Sequence, residues 1–484
     1  MVNLSGATEN DRKKIVITKD SKAFFHNNVD YCVGTGRMGL ALTEEYQEEL
    51  RLVQKEIGFK HIRGHGLFCD DMAIFQTYEE DGKVRVEYNY TYLDRVMDAY
   101  KKVGLRPFLE LGFMPKKLAS GSQTIFYWQG NTTPPKDYDM WCNMVRSLLR
   151  HLMGRYGEEE VIQWPIEVWN EPNLCGFWEN ADMQEYFKLF HRTFDAIKEV
   201  NPGFRVGGPA VCGGTDEKWI QAFMEYCHEN HIPVDFVTRH HYTIDPPEYI
   251  GHYAYSELMK AEDGFANLKT TRDIIDSFPE YKGLQIHITE FNSSYTPQGV
   301  IHDTNLNAAF IAQQLSRLGD VNESYSYWTF AFYKKLEESE ANCVYKDDNI
   351  VVLKRANGDY LGVAWNIARK STEQGKEKML LEFTFPAEQE EYCFLTKTVD
   401  EETCNPLKVW HDMGEPANLS EEQTKLIRES SRPFVKTERK KQEDGNICVE
   451  LPVNENGVVY FELNAGKVNP DRGYDYDRVV SSGR

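Results

Sequence analysis

Eight short apolar runs alternate with amphipathic segments between about residues 30 and 335, and this alternation constrains the fold more than any other feature of the sequence. Each run has the length of a buried strand. Such alternation is typical of parallel strands joined by helical crossovers. The eight predicted strands span residues 29–34, 61–65, 107–112, 163–170, 204–208, 234–240, 284–290 and 324–329.

Helical periodicity between the strands supports this architecture. The segment 92–103 carries its apolar residues on one face and stops at Gly104, and 44–57 does the same between Thr43, a predicted N-cap, and Gly58. Eight strand–helix repeats predict an α/β chain built on a (β/α)8 TIM barrel. A doubly wound open sheet is the alternative fold, but the sequence has no Gly-x-Gly-x-x-Gly turn or Walker motif that would favour nucleotide binding.

The sequence changes character after about residue 343. Two alternating runs in 349–366 flank Asn357-Gly358, a strong local signal for a β-hairpin. Ser420 and Gln423 form a capping-box pattern ahead of a predicted helix over 421–430. Further strand-like runs lie at 378–385, 391–398, 447–453 and 457–463. Together these elements predict an accessory antiparallel β-sandwich.

A chain of 484 residues is too long for a single hydrophobic core, so we predict two domains. Residues 20–342 form the predicted catalytic barrel, and 343–484 form the sandwich with its short helical insertion. The early strand KIVIT (14–18) has no partner in the barrel. The segment 1–19 is therefore predicted to add a strand to the sandwich.

Charge and composition exclude some partners. The net charge of −21 argues against nucleic acid and anionic membranes, because both carry the same sign of charge. No apolar run reaches about 18 residues, which predicts no membrane span, and the N-terminus lacks the apolar core of a signal peptide. The ten cysteines stand singly, with no Cys-x-x-Cys pair, which favours free thiols in a reducing compartment over disulfides.

Two glutamates stand where predicted strands end. Glu171 follows the strand 163–170 in the stretch Asn-Glu-Pro, and Glu290 closes the strand 284–290. Because the chemistry of a TIM barrel sits at the C-terminal ends of its strands, we expect these carboxylates to face each other across the mouth of the barrel. Glu167 lies deeper in the same strand and is predicted to be structural.

Glycoside hydrolysis needs such a pair. One carboxylic acid protonates the leaving oxygen, and the other carboxylate attacks the sugar or activates water. A retaining mechanism calls for a separation of roughly 5–5.5 Å, at which ionisation of one group raises the pKa of the other. A lone strand-end glutamate is more often a surface residue, but the presence of two such ends, with Asn170 beside Glu171, favours a catalytic pair.

Six stretches of the sequence carry a more specific signal than Asn-Glu-Pro alone. They are CVGTGRMGLAL (32–42), IRGHGLFCDD (62–71), FMPKKLASG (113–121), WNEPNL (169–174), VGGPAVCGG (206–214) and HITEFNSSY (287–295). Over most of its length the chain resembles the β-xylosidases of glycoside hydrolase family 39, which belong to the clan of retaining (β/α)8 glycosidases.

The resemblance implies a role for each matching residue. Glu171 matches the acid/base, Glu290 the nucleophile, and Asn170 the residue that bonds the sugar 2-hydroxyl. Other sugar-binding positions are matched by His65, His240, Tyr242 and Trp328. Trp328 would lie under the sugar ring as a platform, although a strand tryptophan is more often a core residue, and His65 could simply bond a backbone carbonyl. His241 stands where the family has an alanine.

The resemblance further implies a cytoplasmic bacterial glycoside hydrolase that trims xylo-oligosaccharides from their non-reducing ends by double displacement, as a homodimer or tetramer. It implies no metal or organic cofactor, and the sequence has no clustered His/Cys ligand spacing. Two alternatives are kept. One is a retaining glycosidase for another glycone, such as an arabinoside, glucoside or iduronide, and the other is a catalytically impaired relative that binds sugars.

The sequence departs from the family after the last predicted strand. Residues 331–338 read as a helix directly behind it, with no Gly, Pro, Asn or Ser between Trp328 and Lys335. A β-to-α connection usually takes about two to six residues. Family members carry a longer loop here, which closes the pocket and brings in a substrate-binding glutamate. A protein that lacks this loop would have a site that is open on one side.

Overall fold

Eight parallel strands form the main sheet in sequential order, and a bridge between Cys32 and Ser326 links its two edges. The structure is a computed structural model, which describes residues 12–326, 331–337, 341–367, 378–466 and 474–480. Numbered in chain order, the strands are β2 (Cys32–Thr35), β3 (His61–Gly64), β6 (Arg106–Leu111), β9 (Ile166–Val168), β10 (Val206–Val211), β11 (Phe236–Tyr242), β14 (Gln285–Asn292) and β15 (Ser324–Tyr325). The predicted TIM barrel is confirmed.

Helices of the barrel unit follow its strands along the chain. They are α1 (Glu44–Glu56), α2 (Thr91–Lys102), α3 (Tyr138–Tyr156), α4 (Glu158–Val161), α5 (Met183–Val200), α6 (Asp216–Glu229), α7 (Ala261–Asp276) and α9 (Ala331–Glu337). Short 3-10 turns lie at Met38–Leu42, Asp70–Met72, Glu179–Ala181 and Val300–Asp303. As its periodicity predicts, α2 buries one apolar face, which includes Leu93, Val96 and Tyr100.

Helix starts show how local chemistry sets these elements. The Asp137 carboxylate accepts the backbone N–H groups of Asp139 at 2.9 Å and Met140 at 3.0 Å, which caps α3. Thr43 precedes α1 but makes no such cap, and its hydroxyl donates to the Leu40 carbonyl at 2.8 Å. Thr43 is therefore the N-cap residue of α1, as predicted, but its side chain makes no capping bond because its hydroxyl bonds to the preceding 3-10 turn.

Three hairpins extend from the C-terminal ends of barrel strands. They are β4–β5 (Phe75–Glu80, Lys83–Tyr88), β7–β8 (Thr124–Ile125, Gly130–Asn131) and β12–β13 (Glu248–Ile250, Tyr253–Tyr255). The sequence analysis did not predict them. Asp81-Gly82, at the turn of the first hairpin, is the signal that could have shown it.

The second unit contains two sheets. In one, β1 (Arg12–Val16) pairs in parallel with β19 (Lys378–Pro386), which pairs antiparallel with β22 (Asn446–Asn454). The other has the order β16 (Asn342–Asp347), β17 (Ile350–Lys354), β18 (Tyr360–Asn366), β23 (Gly457–Ala465), β20 (Glu391–Val399) and β21 (Phe434–Lys441). Leu381 and Phe383 of the first sheet share a buried core with Phe461 of the second.

Helices in this unit are α8 (Asn305–Leu315), α10 (Pro406–Asp412), α11 (Glu421–Ser430) and α12 (Tyr476–Val480). The capping box predicted for α11 is confirmed. The Ser420 hydroxyl accepts the Gln423 backbone N–H at 3.2 Å, and the Gln423 side chain accepts the Ser420 N–H at 2.9 Å.

The chain divides into two units. One consists of 25–302 and 317–335, and the other of the described residues within 1–24, 303–316 and 336–484. The sequence boundaries of 1–19, 20–342 and 343–484 differ from this division most at 303–316, where the Asn305 amide donates to the Asn456 carbonyl at 3.0 Å. Among the described residues, no helix is both long enough and apolar enough to cross a bilayer. All ten cysteines are free thiols.

Candidate active site

The two predicted carboxylates lie side by side. The chain turns sharply behind β9, where Trp169 and Glu171 have left-handed φ angles of 73° and 46°, and the Glu171 N–H donates to the Ala210 carbonyl at 3.0 Å. Non-glycine residues rarely adopt this conformation, and it concentrates at functional sites. A carboxylate oxygen of Glu171, one of Glu290 and a ring nitrogen of His240 all lie within 4.8 Å of one another.

Glu290 is held from both sides. Its Oε1 accepts from Arg63 Nη1 at 2.9 Å and lies 3.3 Å from His65 Nε2. Its Oε2 accepts from the Tyr242 hydroxyl at 2.8 Å and lies 3.5 Å from His240 Nδ1. Burial by itself raises the pKa of Glu290, but His240, His65 and Arg63 outweigh it and hold that pKa well below its ordinary value. Glu290 is therefore an ionised carboxylate at neutral pH.

His65 carries the positive charge that faces this carboxylate. Its Nδ1 lies 2.7 Å from Glu110 Oε2. Burial by itself lowers the pKa of His65, but Glu110 and Glu290 raise it to about 10. The ring is therefore an imidazolium at neutral pH, and each of its nitrogens carries a proton to donate to one of these glutamates.

Arg63 bonds to several buried side chains of the site. The guanidinium is buried, and it donates from Nε to Glu167 at 2.7 Å and from Nη2 to Asn170 Oδ1 at 2.8 Å, with Glu110 Oε2 at 2.9 Å. The second Glu167 oxygen accepts from the Thr289 hydroxyl at 2.9 Å. One planar cation thus compensates several buried carboxylates, and Glu167 belongs to this network rather than to the pair formed by Glu171 and Glu290.

Asn170 and His240 occupy different kinds of position. Within the described residues, the Asn170 amide nitrogen has no hydrogen-bond partner, so it has donors to offer a ligand. His240 Nδ1 lies 2.7 Å from Glu171 Oε1, and its side chain has 0% exposed surface. The sugar contact that the resemblance implies for His240 stays a prediction, and among the described residues its Nε2 has no hydrogen-bond partner.

Three residues of the site were missed by the sequence analysis. Arg63 stands two residues before His65, and Glu110 lies in an apolar strand. A charged residue within an apolar run was the pattern that could have identified both as site residues. Cys212 lies beside the acid end of the site: burial raises the pKa of its thiol, and the Glu171 carboxylate raises it further. No local pattern marks Cys212.

An aromatic loop lies against His65. The ring of Phe126 stacks on the His65 imidazole with centroids 5.7 Å apart and on Trp128 at 5.0 Å, and the Arg37 guanidinium lies 5.2 Å above Trp128. The ring of Phe177 meets Phe126 edge-on at 5.5 Å. These rings form an apolar wall beside the imidazolium. The sequence analysis did not predict this wall, because single aromatic residues do not show which rings will meet.

Trp328 lies outside the described residues. Up to the last described residue before it, β15 pairs with β14 at Ser324 and Tyr325, and the Ser326 N–H donates to the Ile288 carbonyl at 2.9 Å. Helix α9 already begins at Ala331, where the Asn27 amide donates to the Tyr333 carbonyl at 3.0 Å. Four residues separate Ser326 from the start of α9, which is within the usual length of a β-to-α connection. The missing loop expected from the resemblance therefore stays a prediction.

Glu171, His240 and Glu290 also have the spacing of a metal-ligand set within the described residues. Two cations already face the same carboxylate, since Arg63 and His65 lie 2.9 and 3.3 Å from Glu290 Oε1. A divalent ion would be repelled by both at short range. The charges of the site therefore suit hydrogen-bonded carboxylates better than a metal centre.

Comparisons with known proteins agree with this geometry. The model of glycosyl hydrolases family 39 matches residues 13–346 and 330–448. A β-xylosidase of Geobacillus stearothermophilus is 40% identical over 487 aligned positions, covering 93% of this chain and 95% of the relative, and one of Caldicellulosiruptor saccharolyticus is 31% identical, covering 90% and 95%. A solved monomeric β-xylosidase of Caulobacter crescentus CB15 has a TM-score of 0.83 and 29% identity, covering 94% of this chain and all of that one.

These alignments also measure what this chain lacks. In the first, 93% of 484 residues is about 450, so about 37 of the 487 aligned positions face gaps in this chain. In the second, 90% is about 436, which again leaves about 37 of 473 positions. The two matched pieces of the family model overlap at 330–346, which contains the start of α9.

Proposed function

Because this chain belongs to glycosyl hydrolases family 39, it is a glycoside hydrolase, and we propose that it is a retaining β-xylosidase that releases xylose from the non-reducing ends of xylo-oligosaccharides. The observation that carries this proposal is the pair formed by Glu171 and Glu290, with oxygens within 4.8 Å, in which Glu290 is ionised. Inverting enzymes place their carboxyl groups about 6.5–9.5 Å apart, so the closeness of this pair favours retention.

In the first step, Glu290 attacks the anomeric carbon of the terminal xylose. The bond from that carbon to the bridging oxygen breaks, and Glu171 gives its proton to the departing oxygen. The product is a xylosyl ester on Glu290. Arg63 and His65 keep this carboxylate ionised before the attack, and Asn170 offers its amide N–H to the sugar 2-hydroxyl.

In the second step, water replaces the leaving group. Glu171, now a carboxylate, takes a proton from that water while its oxygen attacks the anomeric carbon, and the bond to Glu290 breaks. Xylose leaves with its original configuration, and both glutamates return to their starting states. His240, 2.7 Å from Glu171, positions that carboxyl group through both proton transfers.

The first experiment traps the covalent intermediate. A 2-deoxy-2-fluoro-xyloside with a good leaving group should label the protein once, on the peptide that contains Glu290, as measured by mass spectrometry. The Glu290→Ala variant should not be labelled. A label on another peptide would reject Glu290 as the nucleophile.

A second experiment assigns Glu171. The Glu171→Ala variant should lose activity on xylobiose by about 10²–10⁴-fold, the range of general acid–base catalysis, yet still react with an activated aryl xyloside. Azide should restore its turnover on the aryl substrate and give β-xylosyl azide, because the anion needs no base. An α-configured azide product would contradict the retaining mechanism.

A catalytically impaired relative is the second candidate function. The gapped positions of the two alignments and the overlap of the two family-model matches at 330–346 favour it, because a loop absent there would leave the pocket less closed to water. The same fluoro-xyloside decides between the two. A folded chain that is never labelled, yet binds xylobiose in calorimetry, would be a sugar-binding protein.

Other parts of the proposal follow from the family alone. We expect xylosides to be hydrolysed faster than matched aryl arabinosides, glucosides and iduronides, and a reversed order would change the glycone assignment. We also propose a cytoplasmic homo-oligomer, dimer or tetramer. Because the solved Caulobacter relative is described as monomeric, sedimentation analysis of this protein separates the two states.

A further inference from the structure

A line of tyrosine rings runs outward from Glu290. The Tyr242 hydroxyl donates to Glu290 Oε2 at 2.8 Å, and the Tyr295 ring meets the Tyr242 ring edge-to-face, with centroids 6.0 Å apart at 77°. Tyr295 is 53% exposed. A large ring thus stands in the open one side chain away from the nucleophile, and the two chemical steps described above do not use it.

The surroundings hold this ring in a defined place. The hairpin β12–β13 is fastened to the segment behind β14, because the Ala254 N–H donates to the Gln298 carbonyl at 2.9 Å. On the same hairpin, the Tyr249 hydroxyl donates to Thr296 Oγ1 at 3.4 Å, next to Tyr295 in the chain. Tyr295 therefore stands on a braced wall, which reduces the entropy lost when a ligand packs on it.

The position of Tyr295 relative to the two carboxylates shows which part of a substrate it would meet. Tyr295 packs on Tyr242, whose hydroxyl holds Glu290 Oε2. That oxygen lies 3.5 Å from His240 Nδ1, and the same nitrogen lies 2.7 Å from Glu171 Oε1. The opposite oxygen of Glu290 faces Arg63 and His65. Tyr295 thus lies toward the carboxyl group that protonates the leaving oxygen.

We propose that Tyr295 is the platform on which the leaving sugar packs, and that the hairpin β12–β13 braces it. This inference rests on the proposed β-xylosidase function. A sugar ring presents an apolar C–H face, which an exposed aromatic ring buries, while the hydroxyl groups at its rim stay in water. The preferred substrates are then xylobiose and longer β-linked oligosaccharides, whose leaving group is itself a sugar ring.

The test compares two substrates with similar leaving oxygens. The leaving group of xylobiose is a second xylose, which departs through its ring hydroxyl. The leaving group of methyl β-D-xyloside is methanol, which has no ring to pack on Tyr295. In Tyr295→Ala we expect kcat/KM to fall at least about tenfold for xylobiose and to change less than about twofold for the methyl xyloside. Tyr295→Trp should recover most of the loss because it restores a packing face.

Tyr253→Ala is the matched control, because Tyr253 is also 53% exposed and lies on the neighbouring hairpin β12–β13, where, within the described residues, its ring contacts neither Tyr295 nor Tyr242. It should leave both substrates unchanged. An equal loss on both substrates in Tyr295→Ala would overturn the platform and show that Tyr295 acts by supporting Tyr242. No loss on either would overturn it as well.

A binding measurement keeps this inference separate from the proposed function. In calorimetry on the Glu290→Ala variant, adding Tyr295→Ala should weaken xylobiose binding about tenfold and leave xylose binding unchanged. If the unaltered protein hydrolyses no xyloside but this difference is found, the proposed function fails and the platform stands. If hydrolysis occurs and xylobiose binding is unaffected by Tyr295→Ala, the platform fails alone.

Discussion

Arg63 shows at the scale of single residues how this site tolerates so much negative charge. Its guanidinium lies within 2.9 Å of Glu110, Glu167 and Glu290 at once. Buried carboxylates of this number would protonate without a compensating cation, and a protonated Glu290 would be a poor nucleophile. The planar five-donor geometry of arginine serves several acceptors together, which a lysine ammonium would not.

His241 illustrates a residue whose role the sequence left open. It follows His240 on β11, so its side chain faces the other way, and its ring lies parallel to that of Phe291 with centroids 6.3 Å apart. A Cβ added to Gly264 of α7 would lie 3.1 Å from His241 Cε1 and 2.8 Å from Thr243 Cγ2. Gly264 thus leaves room for a side chain larger than the alanine expected from the resemblance.

We therefore predict that Gly264→Ala destabilises the protein by about 1–3 kcal/mol, because overpacking outweighs the roughly 1 kcal/mol of helix propensity that alanine adds. In a His241→Ala background the loss should be smaller, with a coupling of about 0.5–3 kcal/mol in urea unfolding.

The control for this cycle is Gly154→Ala in α3, where an added Cβ meets nothing within 4 Å. That change should stabilise the protein by up to about 1 kcal/mol. Additive effects of Gly264→Ala and His241→Ala would contradict the size compensation between these two positions.

At the scale of elements, α9 lies where the sequence predicts a helix over 331–338, and one of its lysines shows how it is held. Its Lys334 pairs at 3.0 Å with the buried Asp30, which also pairs with Lys60 at 2.9 Å. Burial raises the pKa of Asp30, but the two lysines outweigh it and lower the pKa. Asp30 is therefore a charged anchor between α9 and the chain just before β2.

The two lysines should differ in what they contribute. Lys334 is 17% exposed and Lys60 50% exposed, so water screens the second pair more strongly. We expect Lys334→Ala to lower the free energy of unfolding by about 1–3 kcal/mol and Lys60→Ala by less than about 1 kcal/mol. Urea unfolding measures both, and an equal or reversed order would show that α9 is not anchored through Asp30.

At the scale of the whole molecule, buried histidines of opposite behaviour shape the dependence of stability on pH. Burial lowers the pKa of His61 to about 4 and that of His287 to about 3, whereas the pKa of His65 is raised to about 10 by Glu110 and Glu290 against the effect of burial. An unfolded histidine titrates near about 6.5. The first two are neutral in the folded protein and the third is charged.

The sign of each contribution follows from proton uptake. Below about pH 6.5, His61 and His287 bind protons in the unfolded chain but stay neutral in the folded protein. The free energy of unfolding therefore falls as the pH drops toward 3–4. The His65 contribution is complete below about pH 6.5 and is lost as pH rises toward 10.

We therefore predict that the urea midpoint declines on both sides of about pH 6.5. His287→Phe should flatten only the acid side, and His65→Gln only the alkaline side. An unchanged acid slope in His287→Phe would show that His287 is protonated in the folded protein.

The sequence by itself determined the architecture and predicted which two glutamates meet at the mouth of the barrel. Buried parallel strands leave continuous apolar runs, and helices between them leave a 3.6-residue period, so all eight strands were located within a few residues. Glu171 and Glu290 were visible because an ionisable residue at the end of an apolar run is conspicuous. The α11 capping box is equally local, and it could be predicted from two residues.

Only the tertiary structure decided what surrounds that pair. Arg63 lies 104 residues from Glu167 and 227 from Glu290 along the chain, and contacts over such separations leave no local pattern. The same holds for Cys212 beside Glu171, Gly264 beside His241, and the grouping of α8 with the sandwich unit. Period and capping depend on neighbours in sequence, whereas charge compensation and packing depend on neighbours in space.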